Sequence, residues 1–406
     1  MHDASLLSPA QRLRSLVALN AVSTLAQVGQ YGLGTSLLPL AQEARGVPAW
    51  LIGLSSAAFW FGMLAGLLLA GRATRAWGYR RTVVAGMGLS ALAFGLTPAL
   101  PAAAWGLPAA AIGMGLGLRW IANETWLYRM APAHSRGRIV GLHETLISLA
   151  AIAGPMLVAA TGVQQALPFW LGSLACVLAV LPLGAATLLS ASPETTAAAA
   201  AGAPAAAGAP SPPRARRSLA WLAGLSLGAW LAGLGGWIEG GLLALLPVVA
   251  TDQGLSSTDA AWLLTLLGVG ATACQLPIGW LADVKGGVWT ARLGTALAGA
   301  ATLLVLLQPG AATLAVMALV LGAVTGGLLT LGMVFASSGA DGAAITARVR
   351  QVSITYTTLS GIGPLVAGAV VSQSGHSGAL MVLQLGLVLA LAWLLRPAGR
   401  AVAGQG

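Results

Sequence analysis

Apolar residues fall along this chain in long blocks of nearly uniform length. The blocks run over residues 15–40, 49–71, 82–100, 103–128, 139–161, 168–190, 219–249, 258–282, 289–308, 311–337, 345–371 and 377–395. Each approaches the roughly 20 apolar residues that a helix needs to cross a bilayer. The pattern predicts an all-α membrane protein with twelve transmembrane helices, here called segments 1 to 12. Segment 1 follows Arg12 and Arg14 as a signal peptide would follow its basic head, yet it is too long for one and lacks a convincing cleavage site. We expect a retained helix.

Composition removes the soluble alternatives. Of the 406 residues, 57% are hydrophobic and only 7% charged, against about 25% charged in soluble domains. Mean hydropathy is +0.84. The 55 glycines fit the same reading, because small residues let membrane helices approach closely. Two cysteines, Cys176 and Cys274, both inside apolar runs, cannot staple a secreted scaffold.

A net charge of +10 would fit a nucleic-acid partner, but position speaks against one. The basic residues flank alternate segments: Arg12 and Arg14 before the first, Arg72, Arg75, Arg80 and Arg81 after the second, Arg129, Arg136 and Arg138 after the fourth. The series continues with Arg214, Arg216 and Arg217, Lys285 and Arg292, Arg348 and Arg350, and Arg396 and Arg400. Of the 20 basic residues only Arg45 falls on the opposite side, and Arg119 lies deep inside the fourth segment. Cations on one side mark the cytoplasmic face, so both termini are expected in the cytoplasm and no nucleic acid as partner. The preference for Arg over Lys and the richness in Ala and Gly fit a GC-rich bacterial genome, and the expected location is a bacterial inner membrane.

Residues 191–217, an Ala/Pro/Gly tract, cannot bury a core and read as a flexible cytoplasmic linker. They separate residues 1–190 from 218–406, two groups of six segments. The groups repeat each other at an offset of 208: Tyr31-Gly32 maps to Glu239-Gly240, Leu38-Pro39 to Leu246-Pro247, Gly46 to Gly254, Gly71 to Gly279 and Gly78 to Gly286. At 209, Gly154-Pro155 reaches Gly363-Pro364. Six helices return the chain to the same side, so the repeat is parallel.

Between segments 2 and 3 the chain reads Gly71-Arg-Ala-Thr-Arg75-Ala-Trp-Gly78-Tyr-Arg80-Arg81, and the repeat reads Gly279-Trp-Leu281-Ala282-Asp283-Val-Lys285-Gly286. Together with the Arg136-Gly137-Arg138 turn after segment 4, these stretches resemble the major facilitator superfamily. Its loop signature has glycines, an acidic residue and trailing basic residues. Arg75 occupies the acidic position in the first half, and Asp283 keeps it in the second. The resemblance implies two pseudo-symmetric six-helix bundles and alternating access to a midplane site. It also implies that Gly71, Arg75, Gly78, Arg80, Arg81, Gly279, Asp283 and Gly286 form a conformational gate on the cytoplasmic face. The plainer alternative is a pair of tight turns with snorkelling cations. The Gly-Pro and two following glycines of many exporters are incomplete in segment 5, so the resemblance names no substrate.

Charges inside a bilayer are costly, about 2.5–3.5 kcal/mol each at a helix centre on insertion scales, and so mark function. Arg119 lies ten residues from Arg129, ~15 Å deep at 1.5 Å per residue. With Asn123 one turn on, it reads as an anion-recognising or charge-relay group, or as a structural pairing. Glu239, between apolar stretches of segment 7, reads as a proton-coupling or cation-binding carboxylate, or as a partner at a helix interface. Glu124 and Glu144 lie near loop arginines and read as ion pairs at the membrane edge, and His143 beside them as solvated.

Segment 1 carries Asn20, Thr24, Gln27 and Tyr31 on one face, with Gln30 adjoining. Such a stripe must face a partner or a water-filled cavity. Gln275, Thr325, Thr330 and Tyr356 are further candidates, each with an interhelical hydrogen bond as its alternative. Trp230 and Trp237 are interfacial anchors or an aromatic cavity wall. No phosphate-binding loop, metal-ligand spacing or nucleophile motif occurs, and His2, His134, His143 and His376 are scattered. The expectation is a monomeric transporter of a small organic solute, possible proton coupling included, and no enzyme, cofactor or metal. An efflux pump of the same fold, or a receptor without net transport, is the alternative.

Overall fold

The computed structural model describes residues 7–132, 136–187, 226–337 and 342–374. Among them there is no strand. The helices are α1 (Pro9–Gln27), α2 (Gly34–Glu43), α3 (Ala49–Leu96), α4 (Gly106–Met130), α5 (Arg136–Thr161), α6 (Leu167–Leu178), α7 (Leu227–Asp252), α8 (Ser257–Ala273), α9 (Gln275–Lys285), α10 (Gly287–Leu307), α11 (Ala311–Ser337) and α12 (Gly342–Ser374). Each of segments 1 to 11 is mainly helical over its described residues. Segment 12, the linker and His2, His134 and His376 lie outside the described residues.

Some segments and helices do not match one to one, for local reasons. Segment 1 is divided by a π-turn at Val28–Leu33, a widened stretch that carries one more residue per turn. Its glycines lie against neighbouring backbones: a Cβ on Gly32 would stand 2.8 Å from the Ala151 carbonyl of α5 and 3.0 Å from Gly154 Cα. Segments 2 and 3, labelled together as α3, are two helices that break at Gly78, whose φ of +79° is not helical. Segment 8 breaks at Cys274 into α8 and α9, inclined by 40°.

Seven of the described helices are long and apolar enough to cross a membrane, and the bent α8–α9 pair makes an eighth. Segment 1, cut by the π-turn into α1 of 19 residues and α2 of 10, is not among them, and neither is α4, which carries Arg119, Asn123 and Glu124. Leucines instead cover the outside, with Leu92, Leu107 and Leu276 exposed, as a lipid-facing surface requires.

Left-handed glycines mark the repeat in the backbone itself. Gly46 (φ +68°) and Gly254 (φ +78°) are 208 apart, and so are Gly78 (φ +79°) and Gly286 (φ +89°). Within the first half α3 and α4 cross in backbone contact: a Cβ on Gly62 would lie 2.1 Å from the Ala110 carbonyl.

The two halves meet at the Gly46/Gly254 end and at mid-height. At that end a Cβ on Gly53 of α3 would lie 2.3 Å from the Pro364 carbonyl of α12, and Ser372 Oγ accepts from the Trp50 amide at 2.9 Å. At mid-height Gly268 of α8 packs on Ile152 of α5. Glu43, beyond segment 1, faces Thr251 and Asp252 of the other half. Burial pushes the Glu43 carboxyl above its ordinary value; a hydrogen bond with Thr251 opposes the rise, and Asp252 adds to it. Arg45 grips the carbonyls of Ala41 and Val163 at 2.8 and 2.9 Å and stacks over Trp105.

Candidate functional site

The π-turn turns Tyr31 toward the other half. Its hydroxyl donates to Glu239 Oε1 of α7 at 2.7 Å, and the Tyr356 hydroxyl of α12 donates to Oε2 of the same carboxylate. Tyr31 and Glu239 are repeat equivalents, so the residues that correspond across the duplication touch each other at the centre of the molecule. Trp60 of α3 stands edge-on to both tyrosines, with centroids 6.2 Å from each.

Around this group lies a central cavity of about 250 Å³. Gln27 and Tyr31, Trp60, Glu239, Gln275, Thr325 and Tyr356 all line it. Glu239 is a carboxylate set among hydroxyl donors and apolar walls. Chemically such a group can take up a proton or hold a cation, and it links both halves while doing so.

Arg119 occupies a separate place, behind the cavity wall. It is 2% exposed and forms its bonds with neutral groups of α1 and the π-turn: Nε donates to Gln30 Oε1 at 3.0 Å, Nη2 to Gln27 Oε1 at 3.1 Å and Nη1 to Ser23 Oγ at 3.4 Å. Gln30 is fixed in turn by donating to Ser90 Oγ at 2.8 Å. Asn123, one turn along, donates to the Leu19 carbonyl at 3.0 Å and to Ser23 Oγ at 2.7 Å. Among the described residues no carboxylate lies in ion-pair reach of Arg119. The charge therefore sits behind Gln27, the one of its partners that lines the cavity.

The segment-1 stripe thus splits three ways: Tyr31 to Glu239, Gln27 with Gln30 to Arg119, and Asn20 to His143 at 2.9 Å. His143 is 1% exposed, a correction to its expected solvation, because α5 turns it inward against α1 and α4. Glu124 and Glu144 also differ from expectation. Glu124 Oε1 faces His143 Nε2 at 3.9 Å, and Glu144 lines the central cavity. Trp237 and Trp230 do not line that cavity; Trp237 gives its backbone to close contact with Gly363. Nor does Thr330, which bonds back to the Gly326 carbonyl. The aromatic wall belongs to Trp60 and Trp120 instead. Their positions inside apolar runs gave no polar signal.

The loops at the arginine-rich end stand apart. Gly71 and Gly279 lie inside α3 and α9, seven residues before the breaks at Gly78 and Gly286. Arg75, Arg80, Arg81 and Asp283 are all exposed, and no Arg75–Asp283 ion pair forms. The ordered contact here is internal to the first half: Arg129 donates to the Tyr79 hydroxyl at 3.2 Å and lies over its ring.

This arrangement, two helical repeats around a polar midplane cavity, is that of a membrane transporter. The family model described as Major Facilitator Superfamily matches residues 19–256, and the chain belongs to that family. Among its relatives is an uncharacterized MFS-type transporter of Enterobacter sp. (strain 638), 23% identical over 90% of this chain and 91% of the relative. A second, from Yersinia enterocolitica, is 25% identical over 89% and 91%. Among solved structures, the nucleoside transporter NupG superposes with a TM-score of 0.69 at 13% identity, covering 95% of this chain and 98% of its own. A D-xylose-proton symporter gives 0.65 at 16% identity, over 94% and 98%.

Proposed function

We propose that this protein is a secondary active transporter of a small organic solute in a bacterial inner membrane, driven by protons through Glu239. One observation carries the reading: a carboxylate on the cavity wall holds a hydrogen bond to each half. Ionised, Glu239 accepts from Tyr31 and Tyr356 together. Protonated, it becomes a donor at one oxygen and gives up one of those bonds. Proton binding at Oε1, the oxygen that Tyr31 faces, thus alters the contact between the halves in the cavity where solute binds, which is what coupling to alternating access requires.

The arginine-rich end is the cytoplasmic one by the charge rule, and both termini with it. With Gly53 seated on α12 and the Arg75 and Asp283 loops apart, the cavity opens inward in this state. The loops are the gate that closes that end in the opposite state. Residues 1–190 and 218–406 are the two moving bundles, and 191–217 their tether. Gln27, Gln275, Thr325 and the Trp60 edge contact the solute. Arg119 lends it positive potential through Gln27, which favours a solute with an anionic group.

The test uses proteoliposomes with an imposed pH gradient and solutes preselected by thermal shift. Wild-type flux should follow the gradient, and Glu239→Gln should lose gradient-driven flux while still exchanging solute between equal pools. Flux in wild type that ignores the gradient, or a fully driven Glu239→Gln variant, refutes the coupling.

A further inference from the structure

The buried group around His143 has no part in the site just described. His143 Nδ1 lies 2.9 Å from Asn20 Oδ1, while the Asn20 amide nitrogen donates to the Leu16 carbonyl at 2.8 Å. The asparagine oxygen therefore faces the ring, and Nδ1 carries a hydrogen. That leaves Nε2 as the atom able to gain or lose a proton. Nε2 is buried and has no hydrogen-bond partner; its nearest charged neighbour is Glu124 Oε1 at 3.9 Å.

A neutral ring would turn a bare lone pair toward a buried carboxylate, which is unfavourable for both. One proton resolves the conflict. On Nε2 it gives an imidazolium beside a carboxylate; on Glu124 it gives a carboxylic acid aimed at the lone pair. The surrounding groups frame this pair from every side. Arg119, Glu124 and Tyr128 stand on α4, Glu144 on α5, and Arg12 on α1 two turns below Asn20. Glu124 interacts electrostatically with Arg119 and Tyr128, and Glu144 with both Glu124 and His143.

The pair also lies between two open spaces. Glu144 lines the central cavity with Glu239. Asn20 and Arg12 line a separate groove between α1 and α5, at the arginine-rich end. We propose that His143 and Glu124 form a second proton-binding site, set in the wall between the central cavity and that groove. Resting on the proton-coupled reading of Glu239, the site receives a proton on the cavity side through Glu144 and releases it toward the groove. The ligand is the proton itself, and no bond other than N–H and O–H forms or breaks.

The test is 15N NMR of the full chain in nanodiscs with labelled imidazoles, the His143 resonances assigned by difference from His143→Gln. Wild type should show His143 hydrogen-bearing at Nδ1 throughout, with Nε2 gaining a proton as pH is lowered while the protein stays folded. Glu124→Gln should weaken proton binding at Nε2, and Glu124→Asp should restore most of the loss. A hydrogen on Nε2 and none on Nδ1 in the neutral ring, an Nε2 that never takes a proton while the protein is folded, or a titration indifferent to Glu124→Gln overturns the site. The measurement needs neither solute nor gradient. A fully driven Glu239→Gln liposome therefore refutes the coupling reading alone, and a silent His143 refutes the second site alone.

Discussion

Gly53 is the position where one methyl group should change the resting conformation. It belongs to the contact between the halves, so a Cβ there meets an obstacle only when the Gly46 end is closed. That Cβ would lie 2.3 Å from the Pro364 carbonyl and 3.2 Å from Gly368 Cα. Non-bonded atoms need more than ~3 Å, so α3 and α12 would have to part by about 1 Å. Forced overpacking of this kind costs about 1–3 kcal/mol, and a bias of that size shifts an equilibrium about 5–150-fold. Gly53→Ala should therefore move the population toward the state closed at the arginine-rich end. Gly62→Ala is the control. Its Cβ would lie 2.1 Å from the Ala110 carbonyl, within one half, and so should lower stability without favouring either state. Spin labels at Arg72 and Lys285, in a Cys176→Ala/Cys274→Ala background, report the distance across that end. Gly53→Ala should add or enlarge a short-distance population that Gly62→Ala does not. An unchanged distribution in folded Gly53→Ala protein, or the same shift in both variants, would refute the steric reasoning.

Other expectations follow from single contacts. Arg119→Lys should lower the thermal midpoint in scanning fluorimetry, because one ammonium cannot span the Gln30, Gln27 and Ser23 oxygens; each buried acceptor left bare costs about 1–3 kcal/mol. Gly78→Ala and Gly286→Ala should destabilise by similar amounts, about 1–3 kcal/mol each, since no atom lies within 4 Å of either added Cβ and the penalty is wholly backbone; a tolerated change at one site only would break the equivalence of the repeats. Closure of the Gly46 end raises the Glu43 carboxyl above its ordinary value, so closure is favoured by protonation and weakens as pH rises through that raised value. Labels placed at Gln164 and Ser257 should separate with rising pH, and Glu43→Gln should remove the dependence.

The fold was legible because its signals are repeated: hydropathy gave the helices and the 208-residue offset gave the pseudo-symmetry. Candidate site residues are legible where polarity is anomalous, as at Arg119, Glu239 and the Asn20–Tyr31 stripe. What sequence could not supply is the direction each side chain takes. Helical spacing put Gln27 and Tyr31 on one face, but only the π-turn separates their targets, one toward Arg119 and the other toward Glu239. Glu124, Glu144 and His143 read as edge residues by their distance along the helix from the nearest arginine. Depth is also set by how α5 leans on α1, and no local pattern encodes that. Trp60 shows the opposite failure: an aromatic residue in an apolar run is indistinguishable from a lipid anchor until its neighbours are placed.

The contact between Tyr31 and Glu239 has a consequence for the history and engineering of the chain. Positions that correspond across a duplication and touch each other lie on its symmetry axis, where two identical halves would present a residue to its own copy. Paired glutamates there would repel, and paired tyrosines would lack a carboxylate. Divergence of the copies converts a self-contact into a donor and an acceptor, so the chemical asymmetry of the axis is concentrated in one pair. Exchanging the two residues, Tyr31→Glu with Glu239→Tyr, would preserve the hydrogen bond while moving the charge into the other half, away from Tyr356 and toward Arg119.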